Sequence, residues 1–112
     1  MKFQDLQIWQ KGMAIVKIVY QETRNFPTEE KFGLVSQMRR CAVSIPSNIA
    51  EGNARKSSKE LKQFIVIARG SLAELETQVI IAEDLGFLNN EKLKLEIQEL
   101  YKMLHSFSEK IN

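Results

Sequence analysis

The chain has 112 residues, 44% hydrophobic and 27% charged, values ordinary for one packed domain over residues 1–112 and too short for two independent cores. Its apolar runs, residues 65–68 and 79–82, fall far short of the roughly 20 residues that cross a bilayer, and residues 1–5 lack the apolar stretch of a signal peptide. A lone Cys41 excludes an internal disulfide or thiolate zinc cluster, so a cytoplasmic location is expected, and a net charge of +2 does not by itself imply a nucleic-acid partner.

The first helix is predicted over residues 5–24, with Asp5 as its N-cap. Leu6, Trp9, Met13, Val16 and Tyr20 recur at spacings of three and four, one helical face. Ile8, Ile15, Ile18 and Val19 widen that face. Gly12 within it costs about 1 kcal/mol relative to alanine, tolerable where another backbone packs closely. Pro27 ends the segment by pushing Phe26 away from helical geometry.

The second helix is predicted over residues 29–53, capped by Thr28, with Glu29 and Glu30 facing the positive end of its dipole. Its core face reads Val35, Met38, Ala42, Ile45 and Ile49. Pro46 removes one hydrogen bond and costs about 3 kcal/mol in an unadapted helix, which predicts a kink near residues 42–46. The apolar spacing carries on through Ile49, so the helix is not expected to stop there. Gly52 and Asn53 are where it is expected to unwind.

A third helix is predicted over residues 58–85, opened by a capping box of Ser57 and Glu60 and closed by Gly86. Leu61, Phe64, Ala68, Leu72, Leu75, Val79 and Ala82 hold the helical spacing throughout. The fourth, over residues 90–110, is capped by Asn89 or Asn90 and carries Leu93, Ile97, Leu100, Leu104, Phe107 and Ile111. Four amphipathic helices with short connections and no competing strand predict an all-α, antiparallel up-down four-helix bundle.

Beside the core face of the second helix runs a polar ladder: Gln37, Arg40, Ser44, Asn48 and Glu51. In a hairpin, Ser71 and Glu74 of the third helix lie next to it. The ladder fits a solvated face, an interhelical or intersubunit network, or a ligand site; as a network it pairs Arg40 with Glu74 and brings Ser44 to Ser71 and Gly70. Ile8, Ile15, Val43, Val66, Ile67, Ile80, Ile81 and Leu95 fall off the main core stripes. Such wide apolar faces point to contacts between copies, hence a homo-oligomer.

No catalytic chemistry is legible. His105 is the only histidine and reads as a surface residue. Cys41 has basic neighbours in Arg39 and Arg40, but a buried core or interface thiol fits it better. No phosphate-binding loop, zinc spacing or nucleophile motif occurs, so neither enzyme nor cofactor is expected, and no small-molecule substrate is evident. Charge is uneven: residues 39–69 carry seven basic and two acidic side chains, residues 70–112 four basic and eight acidic. Arg55, Lys56, Lys59 and Lys62 cluster at the turn between the second and third helices. That basic turn suits either a phosphate backbone, bound without reading sequence, or a solubilising loop.

One resemblance covers nearly the whole chain. Pro27, Glu30, Phe32, Gly33 and Leu34, the run from Gln37 to Gly52 (QMRRCAVSIPSNIAEG), Arg55, and the run from Gly70 to Glu76 (GSLAELE) closely resemble the four helix bundle protein family. Phe3, Leu6 and Trp9 match as well. The founding members of that family are encoded within intervening sequences of bacterial 23S ribosomal RNA genes, and the ribosomal-protein label they often carry follows gene location. The resemblance implies a homopentameric ring without enzymatic activity. A similar protein, the accessory variability determinant of diversity-generating retroelements, is a basic pentamer that binds reverse transcriptase and nucleic acid. RNA, or a protein that handles it, is the partner this implies. The family signature falls here on Arg39, Arg40, Ser44, Pro46, Asn48, Glu51, Gly52 and Arg55.

Overall fold

The computed structural model describes residues 1–111 and contains four α-helices and no strand among them: α1 (Gln7–Thr23), α2 (Leu34–Ala54), α3 (Ser58–Asp84) and α4 (Glu91–Glu109). Each helix packs on its sequence neighbours, and α4 returns to α1, which closes a body of 44 × 23 × 20 Å around one core. The long dimension is set by α3, whose 27 residues span about 40 Å at 1.5 Å each.

Both expected caps at the start of the chain are displaced. Asp5 closes a short 3-10 turn (Phe3–Asp5), and α1 begins after Leu6, which offers no side-chain cap. Thr28 likewise opens a 3-10 turn (Thr28–Glu30), and α2 begins only at Leu34. The capping task passes to Glu30, whose Oε1 accepts the Leu34 amide at 3.2 Å. The later caps are as expected. Ser57 accepts the Glu60 amide at 3.1 Å and Asn90 accepts the Leu93 amide at 2.9 Å. Gly86 takes φ +78°, and the amides of Gly86 and Phe87 close α3 on the carbonyls of Glu83 and Ala82.

The core stripes of α2 and α4 are those the spacing predicts: Val35, Met38, Ala42, Ile45 and Ile49 are buried, as are Leu93, Ile97, Leu100 and Leu104. On α1 the stripe is the other one. Ile8, Gly12, Ile15, Val19 and Thr23 face the core, whereas Trp9, Met13 and Val16 are half-buried and Tyr20 is exposed. Ile8 and Ile15, expected off the core, therefore belong to it. Opposite this face stands α2: the Pro46 ring packs on Gly12, where a Cβ would meet it at 3.4 Å, an ordinary contact. Pro46 is buried, and α2 runs through it as one helix.

Nor does α2 unwind at Gly52. The helix continues to Ala54, and Gly52 is buried where α2 meets α3; a Cβ at that position would lie 2.7 Å from the Cβ of Phe64. Two polar ties reinforce the frame. Thr23 donates to the Val19 carbonyl and accepts from Arg39 Nε at 2.9 Å, while the Arg39 guanidinium covers the Tyr20 ring, joining α1 to α2. Lys11 on α1 binds Glu96 and, at 3.1 Å, Glu99 on α4. Among the described residues, no helix is long and apolar enough to cross a membrane.

Candidate functional site

The polar ladder of α2 lines an open groove against α3. Gln37, Arg40, Ser44 and Asn48 form one wall, Ser71, Glu74 and Gln78 the other, and Phe32 stands at the rim. The expected pairs do not form. Arg40 has no ionic partner among the described residues, and the Glu74 carboxylate accepts instead from the Cys41 thiol at 3.3 Å. Cys41 projects between the helices and also reaches the Ser71 carbonyl at 3.0 Å, so it holds the position that Arg40 was expected to occupy. Ser44 turns back along its own helix to the Cys41 carbonyl at 2.6 Å, and Asn48 donates to the Ser44 carbonyl at 2.7 Å.

Burial, helped by the hydrogen bond and charge of Glu74, pushes the Cys41 thiol up to about 12. Of its basic sequence neighbours, Arg39 is turned away to Thr23 and Tyr20 on α1. Gln78, which the periodicity does not single out, is buried, and its Oε1 has no hydrogen-bond partner among the described residues. Nothing in the spacing marked it, since its neighbour Val79 carries the apolar stripe. Across α3 and α4, Tyr101 donates to Glu76 at 3.1 Å, and burial with this bond raises the phenol to about 12.

The basic turn divides into two parts. Arg55 is held in place: its guanidinium lies 3.2 Å from Glu51 and 3.8 Å from Glu60, and 4.9 Å above the Phe64 ring. Glu51 thus belongs with Arg55 and not with the groove. Lys56, Lys59 and Lys62 are exposed, with no carboxylate within ion-pair distance among the described residues. His105 is exposed on α4, and no group of three or more His, Cys, Asp or Glu that could hold a metal occurs among the described residues.

Several signature positions now have a structural account. Arg39 ties α1 to α2, Pro46 meets Gly12, Gly52 admits Phe64, and Arg55 staples the end of α2 to the start of α3. Arg40, Ser44 and Asn48 gather in one groove. A search among curated proteins finds no match. The family described as 23S rRNA-intervening sequence protein matches residues 4–106, nearly the whole chain. With its four helices and its signature residues at these helix contacts, the chain belongs to the 23S rRNA-intervening sequence protein family.

Proposed function

We propose that this protein is a non-enzymatic, homo-oligomeric helical scaffold that presents its lysine turn to a nucleic-acid backbone. The observation that carries self-association is the apolar surface the single chain leaves uncovered. Val66 is 62% exposed, Ile67 49%, Ile80 51%, Ile81 44% and Leu95 67%. Four of these share α3, two in its first half and two towards its end, and exposed apolar surface of that kind is a docking face more often than a solvated one.

Support for an up-down bundle comes from which residues meet. Gly52 lies against Leu61 and Phe64, while Cys41, earlier in α2, bonds to Ser71 and Glu74, later in α3. Asn53 holds the Met1 carbonyl, and Phe26, after α1, packs at a tilt of 52° against Phe87, after α3, with ring centroids 5.7 Å apart. With that alternation, Lys56, Lys59 and Lys62 lie at the same end of the bundle as the start of α1. Copies arranged around an axis, five in the ring the family suggests, repeat those lysines at one rim and multiply the local positive potential. The cellular setting that fits is the cytoplasm.

A mobility assay with mixed RNA over a salt series tests the nucleic-acid arm. Affinity is expected to fall steeply with salt, and the triple change of Lys56, Lys59 and Lys62 to alanine to weaken binding and flatten that slope. Salt-insensitive binding, or an unchanged triple variant, refutes it and favours an oligomer whose charged turn serves solubility alone. Arg55→Ala discriminates further: its guanidinium is already engaged by Glu51 and Glu60, so its removal is expected to cost stability more than affinity.

A further inference from the structure

The chain contains five glycines, and four are placed by neighbours or backbone within it. Gly12 packs on the Pro46 ring, Gly52 admits Phe64, a Cβ on Gly33 would stand 3.1 Å from a Glu30 oxygen, and Gly86 adopts φ +78°. Gly70 has no such neighbour. It lies in the middle of α3, exposed, and a Cβ built on it would meet nothing within 4 Å. Alanine would form a better helix there at no steric cost, because glycine is the poorest helix former after proline. Gly12 and Gly52 each mark a place where another helix of this chain comes close.

The surroundings agree. Val66, Ala73, Thr77 and Ile80 extend from Gly70 at spacings of four and three, all exposed, and form one apolar ridge with a low centre along α3. A matching hollow exists elsewhere on the same molecule. Trp9, Met13 and Val16 of α1, with Val43 and Pro46 of α2, line an apolar trough. Because α1 and α3 make no contact with each other, ridge and trough lie on different sides of the bundle.

Charge then selects the orientation. Asp84, four residues beyond Ile80 on the same line of α3, carries no ion pair among the described residues, and neither do Lys17 and Arg24 along the second half of α1 and just past its end. Copies standing side by side in the same direction bring this acid to those two bases. Reversed copies set Lys59 and Lys62 against them instead, base against base.

We infer that the α3 ridge of one copy seats in the α1–α2 trough of the next, a head-to-tail contact between two different faces that closes into a ring with every lysine turn on one rim. The inference rests on the self-association proposed above and names its two faces and its direction. It also explains Gly70: the trough wall approaches the α3 backbone at the one point where a side chain would hold it away.

The test uses Val66→Asp on the ridge and Val43→Asp in the trough, both at exposed positions, with folding verified by circular dichroism and assembly by sedimentation velocity. Each variant alone is expected to lose the wild-type assembly. Mixed at high concentration, the two retain one intact ridge and one intact trough and form a mixed dimer and nothing larger. Gly70→Ala is expected to associate at least tenfold more weakly although its helix is better formed. If the wild type assembles and Val66→Asp still does so, the ridge is not the contact, while self-association stands. If Val43→Asp alone assembles, or no mixed dimer forms, the pairing of these faces is overturned. A wild type that remains a single copy removes both this contact and the scaffold itself.

Discussion

Replacing Gly52 by alanine separates packing from helix propensity most cleanly. Alanine alone would favour α2 by about 1 kcal/mol. Its Cβ, however, would stand 2.7 Å from the Cβ of Phe64 and 3.2 Å from Cδ1 of Leu61. Carbon atoms settle about 3.5–4.0 Å apart, so α2 and α3 must separate by close to an ångström. The Phe64 Cβ is fixed to its backbone and cannot rotate aside, which places the cost near the top of the overpacking range, about 3 kcal/mol. A net loss of about 2 kcal/mol lowers the melting temperature of a domain this size by roughly 8 °C. Thermal unfolding followed by circular dichroism at one fixed protein concentration reads it directly, since self-association makes the midpoint depend on concentration. Gly12→Ala is the internal control. Its new methyl would meet the Pro46 ring at 3.4 Å, an ordinary contact, and it is expected to be neutral or stabilising. A Gly52→Ala protein that melts at or above wild type, or above Gly12→Ala, refutes the close approach of α2 and α3 at this point.

Gln78→Met keeps the shape of the buried side chain and removes an amide oxygen that has no partner, and is expected to stabilise the fold by about 1 kcal/mol in chemical denaturation; a clear destabilisation would mean that the amide is satisfied. Cys41 and Tyr101 define an alkaline limit, because both hold their protons up to about 12 in the folded state against ordinary values of 9.0 and 10.0. Below pH 9 both states are protonated and nothing changes; between 9 and 12 the unfolded chain ionises first, so stability falls as pH rises through that window. Cys41→Ala is expected to flatten the part of this loss that begins at pH 9, and the native thiol to stay silent to a disulfide reagent at pH 8; rapid labelling of the folded protein would contradict the buried, Glu74-bonded thiol.

The helices were legible where each carries one apolar stripe. On α2 and α4 a single set of residues meets the three-four spacing, so periodicity alone finds the core. On α1 two interleaved sets satisfy it, Trp9–Met13–Val16 and Ile8–Ile15–Val19, and local pattern cannot choose between them. The choice is tertiary: the Pro46 ring of α2 packs on Gly12, within the face of the second set. Glu30 took over the cap assigned to Thr28 because a long carboxylate can reach across Gly33 to the Leu34 amide, a geometry no local motif encodes. The polar groove was legible as a ladder but not in its bonding. Arg40 and Cys41 stand one residue apart, about 100° round the helix, and that angle gave Glu74 to the thiol and left Arg40 free. Arg55 was counted with the lysines by sequence proximity, whereas Glu51 and Glu60 reach it from the two helices that flank the turn.

Native mass spectrometry of the wild-type protein at micromolar concentration puts the scaffold to its most direct test. A closed assembly of several copies, five in the ring proposed, is the predicted species, reduced to single chains by aspartate at Val66. A folded wild-type protein that flies only as one chain would contradict self-association, and the exposed ridge around Gly70 would then need another occupant.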